Sequence, residues 1–66
     1  MPPIYQCGTH AEVGDIAVCN ESVIDIEDFE YMDGVWFAIF NERGRFVAVP
    51  MYCMSFIARA EGKSRA

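Results

Sequence analysis

The chain has 66 residues, of which 53% are hydrophobic, and its formal net charge is −5. This length excludes a multidomain protein, and no uncharged run approaches the ~20 apolar residues that a transmembrane helix needs. Residues 1–33 carry eight carboxylates and no Lys or Arg, whereas residues 34–66 sum to +3, so the acidic half should repel the phosphates of nucleic acid.

The apolar composition favours strands. Leucine is absent, and the bulky apolar residues are mainly β-branched or aromatic, the types that fit a pleated, half-buried surface. There are more of them than one small core can easily hide, which suggests a partner or self-association. The first residues lack the basic and apolar regions of a signal peptide, and we therefore expect a soluble, cytoplasmic protein.

Residues 1–12 are predicted to form a lead-in segment before the first strand. That strand is expected within residues 13–20, where Gly14-Asp15 marks a turn and alternating apolar residues follow. A second strand is predicted over residues 22–27, because apolar and acidic residues alternate there.

The alternation changes face at Glu27-Asp28, since Asp28 falls where the apolar face of Ile26 should continue and Phe29 falls on the opposite one. A strand with a period of two can change face only through an extra residue or a bend. We therefore predict a kink at this point, which would let one long acidic strand serve two sheets.

Asp33-Gly34 is the strongest turn signal in the chain. It lies between two apolar runs, and Asp-Gly suits a two-residue hairpin in which both central residues have positive φ. The register of this hairpin places Tyr31 opposite Trp36.

A second turn is predicted at "NERG", residues 41–44, as a four-residue loop that places Ala38 opposite Val47. The result is a three-stranded meander over residues 29–50 with two apolar faces. An antiparallel sheet with one solvated face should instead alternate cleanly, so we expect the outer face to be covered by another part of the chain or by a partner.

The last segment has two open interpretations. One is a single helical turn at residues 51–54 followed by a strand over 56–60, which gives an all-β domain of about five antiparallel strands. The other is a helix over 50–61, bounded by a proline and a glycine, which gives an α+β domain with a three- to four-stranded meander. In both, the chain is one domain with a body over residues 13–61 and a polar tail over 62–66.

The order of these elements resembles SH3-like small barrels over about residues 13–61. The resemblance includes the Gly-Asp opening, the central "VWFAIFNERGRFVAVP" and the short turn before the last strand. It implies a small SH3-like barrel and a binding module more than an enzyme, although such folds host many unrelated functions. Compact acidic chains of this size are also common among phage and mobile-element proteins, which is an association only.

The sequence contains no strong metal or catalytic motif. Cys7 and His10 have the spacing of one zinc-ligand pair, but no second close pair accompanies them, and no calcium-loop, nucleophile or phosphate-loop motif is present. We therefore predict no metal, no cofactor, no catalytic residues and no enzymatic activity. Cys7, Cys19 and Cys53 are expected to be free thiols, with Cys19 in the core.

The stretch "DIEDFEYMDG", residues 25–34, holds the densest group of carboxylates. Charges on an edge strand can serve only to prevent aggregation, but they can also attract a basic partner. We predict six protein-binding residues: Asp25, Glu27, Asp28, Glu30, Tyr31 and Trp36. Trp36 is either an exposed anchor, as aromatic residues often are in interfaces, or a core residue.

The leading hypothesis is a non-enzymatic, acidic protein-interaction module that acts as an inhibitor or adaptor of a basic, nucleic-acid-handling protein. It would contact neither nucleic acid nor membrane directly. The alternative is a structural subunit that self-assembles into a homo-oligomer through its surplus apolar sheet face.

Overall fold

The computed structural model describes residues 2–59, and their fold is all-β. The six strands are β1 (Ile16–Cys19), β2 (Ser22–Asp25), β3 (Asp28–Met32), β4 (Val35–Glu42), β5 (Arg45–Pro50) and β6 (Ser55–Ala58), with one 3-10 turn at Met51–Cys53. The predicted all-β class is confirmed. The polar tail predicted for residues 62–66 lies outside the described residues.

The strands form two three-stranded antiparallel sheets, with the orders β2-β1-β6 and β3-β4-β5. The predicted kink separates them. The Ile26 N–H donates to the Asp15 carbonyl at 2.9 Å, on the side of the first sheet, whereas the next N–H, that of Glu27, donates to Ile39 of the second sheet at 2.8 Å. The chain thus changes sheets between two consecutive residues.

This kink also explains why the strands number six where about five were expected. The predicted long acidic strand is divided into β2 and β3, which pair with different sheets. Over residues 2–59 the two sheets do not close into a barrel, because β5 pairs only with β4, and the turn after it directs β6 onto β1.

The Asp33-Gly34 hairpin has the predicted register. Both central residues adopt positive φ, 49° for Asp33 and 79° for Gly34, and the ladder pairs Met32 with Val35 and Tyr31 with Trp36. A turn of this type matches the twist of the flanking strands.

The register predicted for the second hairpin is wrong by two residues. The turn is not the four-residue loop 41–44 but the two residues Arg43 and Gly44, which both adopt positive φ, so that Glu42 pairs with Arg45 and Ala38 with Val49. The tighter turn extends the ladder, at the cost of placing an arginine in the left-handed region. Since a shift of two residues preserves the faces, the predicted side-chain faces remain valid.

The last segment follows the first interpretation, and the helix over 50–61 is wrong. The single 3-10 turn over residues 51–53 is followed by an extended Met54 and by β6. Met51 and Met54 are both buried, so the turn places two flexible side chains into the core, where methionine fills irregular space well.

The lead-in segment belongs to the folded body. Tyr5 is 2% exposed and Ala11 is buried, while the Tyr5 N–H donates to the Thr9 carbonyl at 2.9 Å. Among residues 2–59, the buried apolar residues are Tyr5, Ala11, Ala17, Ile26, Ala38, Phe40, Met51 and Met54. This core contains residues from the lead-in segment, both sheets and the 3-10 turn.

Among the described residues, no helix has the length and apolar character required to cross a membrane.

Candidate functional site

The four carboxylates of the predicted strip follow the passage from one sheet to the other. Asp25 ends β2, Glu27 lies in the connection, and Asp28 and Glu30 belong to β3. All four side chains are exposed. The kink therefore distributes their charge over the corner between the two sheets.

No cation within residues 2–59 pairs with these four carboxylates. Both ion pairs found within residues 2–59 lie outside the strip. Arg59 forms them, with Glu12 at 3.4 Å and with Asp15 at 3.0 Å. No cation of residues 2–59 therefore neutralises the strip.

The strand alternation divides the β3 part of the strip between two faces. Asp28 lies opposite Ile39 and Glu30 opposite Phe37, whereas Tyr31 lies opposite Trp36. Because successive side chains of a strand point to opposite faces, the two carboxylates lie on the outer face and Tyr31 on the inner one. A partner can reach both sets together only along the edge of β3.

The predicted aromatic pair is formed on the inner face. The ring centroids of Tyr31 and Trp36 are 5.0 Å apart, and Phe29 meets Trp36 edge-to-face at 6.5 Å. Trp36 is half-buried and packs against the core, while Tyr31 remains 54% exposed. Trp36 is therefore neither a fully buried core residue nor a fully exposed one, and its ring contacts both the core and the exposed Tyr31.

The outer face of the second sheet is apolar and incompletely covered. Phe37 and Ile39 are half-buried, and Phe46 is 66% exposed. An open groove of about 300 Å³ lies at its acidic border, lined by Glu27, Asp28, Ile39 and Phe46. Apolar surface thus lies directly beside two carboxylates that form no ion pair within residues 2–59.

A second open groove, also of about 300 Å³, lies between the lead-in segment and the β3–β4 hairpin. Its walls include Ile4, Trp36 and Tyr52, and the Gln6 side-chain amide donates to the Tyr52 carbonyl at 2.7 Å. The groove therefore joins the aromatic end of the meander to the beginning of the chain.

A buried carboxylate that the sequence analysis assigned only to a turn is the centre of a polar network. Asp15 has 0% exposure. Its carboxylate accepts hydrogen bonds from the Tyr5 hydroxyl at 2.8 Å and from the Glu12 N–H at 2.9 Å. It accepts two more from Arg59, one from Nε at 3.0 Å and one from a terminal nitrogen at 3.2 Å. The sequence signal was weak: an aspartate just before an apolar strand, with one arginine near the far end.

This network is closed and holds the fold together. The terminal nitrogen of Arg59 that bonds to Asp15 also donates to the His10 carbonyl at 2.9 Å. The other terminal nitrogen forms the ion pair with Glu12. Burial, and then the hydrogen bond to Asp15, raises the pKa of Tyr5, while the same carboxylate raises the pKa of Arg59. Four donor groups from three residues satisfy the Asp15 carboxylate, and its complete burial keeps it out of reach of a substrate.

The remaining chemically active side chains are dispersed. Within residues 2–59, no three His, Cys, Asp or Glu side chains form a possible metal site. Cys7 and Cys53 are exposed free thiols, and Cys19 is half-buried and packs against the core.

Comparison with models of protein families, with curated proteins and with solved structures finds no match to this chain.

Proposed function

We propose that this protein is a non-enzymatic interaction module that binds the basic surface of another protein through the acidic corner between its sheets. The observation that carries this proposal is the absence of any ion pair to Asp25, Glu27, Asp28 or Glu30 among the described residues. Such a corner suits an inhibitor or adaptor of a nucleic-acid-handling protein, because these proteins expose basic surfaces.

The neighbouring apolar surface supports binding over a merely solubilising role. A solubility device needs only charge, whereas an interface also needs desolvated contacts, and aromatic residues are enriched in them. Phe46 and Ile39 line the groove beside Glu27 and Asp28, and Tyr31 is exposed on the other side of β3. Charge here would govern the encounter rate and apolar contacts the lifetime.

The SH3-like resemblance is part of the same proposal. It is supported by the strand order, in which β2 and β3 together bend from one antiparallel sheet into the other. In small two-sheet folds, strands that change sheets make such corners. The resemblance favours a binding module, and the acidic corner is the surface that we propose for binding.

The test uses a short synthetic peptide that alternates Lys with Val, and its Glu–Val counterpart. Binding kinetics are measured at about 50 mM and about 300 mM salt, since screening separates charge from apolar contact. We expect the basic peptide alone to bind, and the quadruple variant Asp25→Asn, Glu27→Gln, Asp28→Asn, Glu30→Gln to slow its association at least about threefold and flatten the salt dependence.

A matched pair of variants controls for net charge. Glu27→Gln with Glu30→Gln removes two charges from the corner, and Glu21→Gln with Glu42→Gln removes two exposed charges elsewhere. Only the first pair should slow association. Equal effects of the two pairs, or equal binding of the acidic peptide, would contradict the proposal.

Self-assembly is a second candidate because Phe46 and Met32 are 66% and 43% exposed on the same outer face. Sedimentation over a range of protein concentrations tests it. A homo-oligomer that Phe46→Glu converts to a monomer would support this alternative, and a parent that stays monomeric would exclude it.

A further inference from the structure

The edge of β3 presents backbone groups that no strand of residues 2–59 covers. β3 is the end member of the order β3-β4-β5 and pairs only with β4. An edge of this kind can pair with a strand of another chain.

The register determines which backbone groups face outward. The Asp33-Gly34 turn makes Met32 and Val35 the hydrogen-bonded closing pair. Hydrogen-bonded and non-hydrogen-bonded pairs then alternate along an antiparallel ladder. Phe29 and Tyr31 therefore belong to the non-bonded pairs, and their N–H and C=O groups point away from β4.

A separate contact agrees with this assignment. The Phe29 N–H donates to the Asp28 side chain, Oδ1, at 2.8 Å, which it could not do if it pointed into the ladder with β4. Asp28 thus satisfies one outward donor locally. The outward groups of Tyr31 lie further along the edge, where Tyr31 is 54% exposed.

The charges of β3 determine which strand can pair there. A second copy of this edge would place the Asp28 and Glu30 carboxylates of one chain beside those of the other, and like charges on adjacent strands are destabilising. A strand with basic residues at those positions would be attracted instead. The same carboxylates therefore disfavour self-pairing and favour a basic occupant.

We propose that the β3 edge binds an extended segment of a partner protein in which Lys or Arg alternates with apolar residues. The segment adds a fourth strand to β3-β4-β5 by pairing with the N–H and C=O of Tyr31 and with the C=O of Phe29, a known mode of peptide recognition. Its basic side chains lie beside Asp28 and Glu30 on the outer face, and its apolar side chains lie beside Tyr31 on the inner face.

This inference rests on the proposed function and specifies it, because it replaces a basic surface by a basic strand with a defined alternation. β3 is only five residues long, so the added ladder is short. The backbone contact, and not the charge alone, is the part to be tested.

The first experiment titrates the alternating Lys–Val peptide into the full chain and follows the fluorescence of Trp36, the one tryptophan, together with amide exchange by NMR. We expect the Tyr31 amide to exchange at least about tenfold more slowly at saturation, while the Glu30 amide, which already faces β4, changes little. Two N-methylated peptides, blocked at alternate amides, should differ: one loses binding and the other retains it, because a strand pairs through one edge.

A block peptide with the same numbers of Lys and Val, in two separate runs, controls for charge and composition, and it should bind at least about threefold more weakly. On the protein side, Tyr31→Pro removes the outward N–H without removing a ladder bond to β4, as prolines at sheet edges do, and Tyr31→Ala controls for the lost ring. Tyr31→Pro should bind at least about threefold more weakly than Tyr31→Ala, with both folds checked by circular dichroism.

The outcomes separate the two proposals. Charge-dependent peptide binding with an unprotected Tyr31 amide, or with equal effects of the two N-methylated peptides, would overturn the added strand and leave the acidic interaction module intact. No binding of the basic peptide would overturn both. If the Tyr31 amide exchanged slowly in concentrated protein without any peptide, a second copy of the chain would occupy the edge instead of a basic segment.

Discussion

Asp15 and Arg59 form the contact that ties the beginning of the fold to its end. The carboxylate of Asp15 is completely buried, and Arg59 Nε lies 3.0 Å from its Oδ1 although 44 residues separate them in sequence. The guanidinium also lies 5.2 Å from the centroid of the Phe56 ring. A buried carboxylate is tolerated only when it is paired and hydrogen-bonded, so this contact sets the stability of the region.

Arg59→Met should lower the thermal unfolding midpoint, because it keeps most of the side-chain volume but leaves the Asp15 carboxylate without its cation. Arg45→Met is the matched control. Arg45 is exposed and forms no ion pair within residues 2–59, so its loss should change the midpoint little. Similar midpoints for the two variants would contradict the structural role of the Asp15–Arg59 contact.

The raised pKa of Tyr5 predicts a loss of stability at alkaline pH. The folded state holds the phenol proton more tightly than the unfolded chain, in which tyrosine titrates near pH ~10. This stabilisation is fully present below that pH and is lost as the pH rises toward the folded pKa. The advantage of the parent over Tyr5→Phe should be about 1–3 kcal/mol at neutral pH and should shrink by up to ~1.4 kcal/mol per pH unit above pH ~10.

Denaturant unfolding between pH ~8 and ~11 measures this change. Tyr52→Phe is the control, since the Tyr52 ring is 63% exposed and the variant keeps Tyr5. It should retain the alkaline loss of the parent. A constant difference between the parent and Tyr5→Phe across this range would exclude a differential titration of Tyr5.

Ile26 is the apolar side chain buried at the kink between β2 and β3, with 1% exposure. Ile26→Ala should lower the free energy of unfolding by about 2–5 kcal/mol, because it leaves a cavity that the strand junction cannot easily fill. Val23→Ala in β2 is the control: Val23 is 65% exposed, and its truncation should cost about 0.5 kcal/mol or less. Urea unfolding of both variants decides whether the junction is part of the core.

Gly34 adopts φ +79°, and a Cβ built there has no neighbour within 4 Å. Any cost of Gly34→Val must therefore come from the backbone conformation and not from a clash, and we expect about 1–3 kcal/mol. Asp33→Asn is the control, because asparagine tolerates positive φ. Thermal unfolding should show a lower midpoint for Gly34→Val alone, and unchanged midpoints would contradict the hairpin assignment.

The cysteines should differ in their rates of alkylation. A hydrogen bond to Thr9, with Sγ and Oγ1 3.3 Å apart, lowers the pKa of Cys7, whereas burial raises the pKa of Cys19. The thiolate is the reactive form, so iodoacetamide near neutral pH should modify Cys7 before Cys19. Thr9→Val should slow the modification of Cys7 alone, as measured by peptide mass spectrometry. An unchanged rate would show that the hydrogen bond does not control this thiol.

Local patterns in the sequence were enough to predict the strands up to residue 50, the kink and the Asp33-Gly34 hairpin. The period of two, the change of face at Glu27-Asp28 and the Asp-Gly pair each act over a few residues. The second hairpin was harder, because "NERG" contains two possible turns. The pairing of Phe40 with Val47 depends on which turn the twist of both strands favours, and on an arginine accepting positive φ.

The sequence by itself determined the strands up to residue 50 and the exposure of the acidic strip, since alternation and turn chemistry are properties of neighbouring residues. It left open whether residues 50–61 form a helix or a turn followed by a strand, and the structure decided for the turn and strand. Only the tertiary structure decided that Asp15 is buried against Arg59, because that contact joins residues 44 positions apart. It also decided that β3 lies at the edge of its sheet, so that Glu30 and Tyr31, which alternation places on opposite faces, border the same open edge. Long-range strand pairing, which no local pattern specifies, converts an acidic stretch into an edge with two chemically different faces.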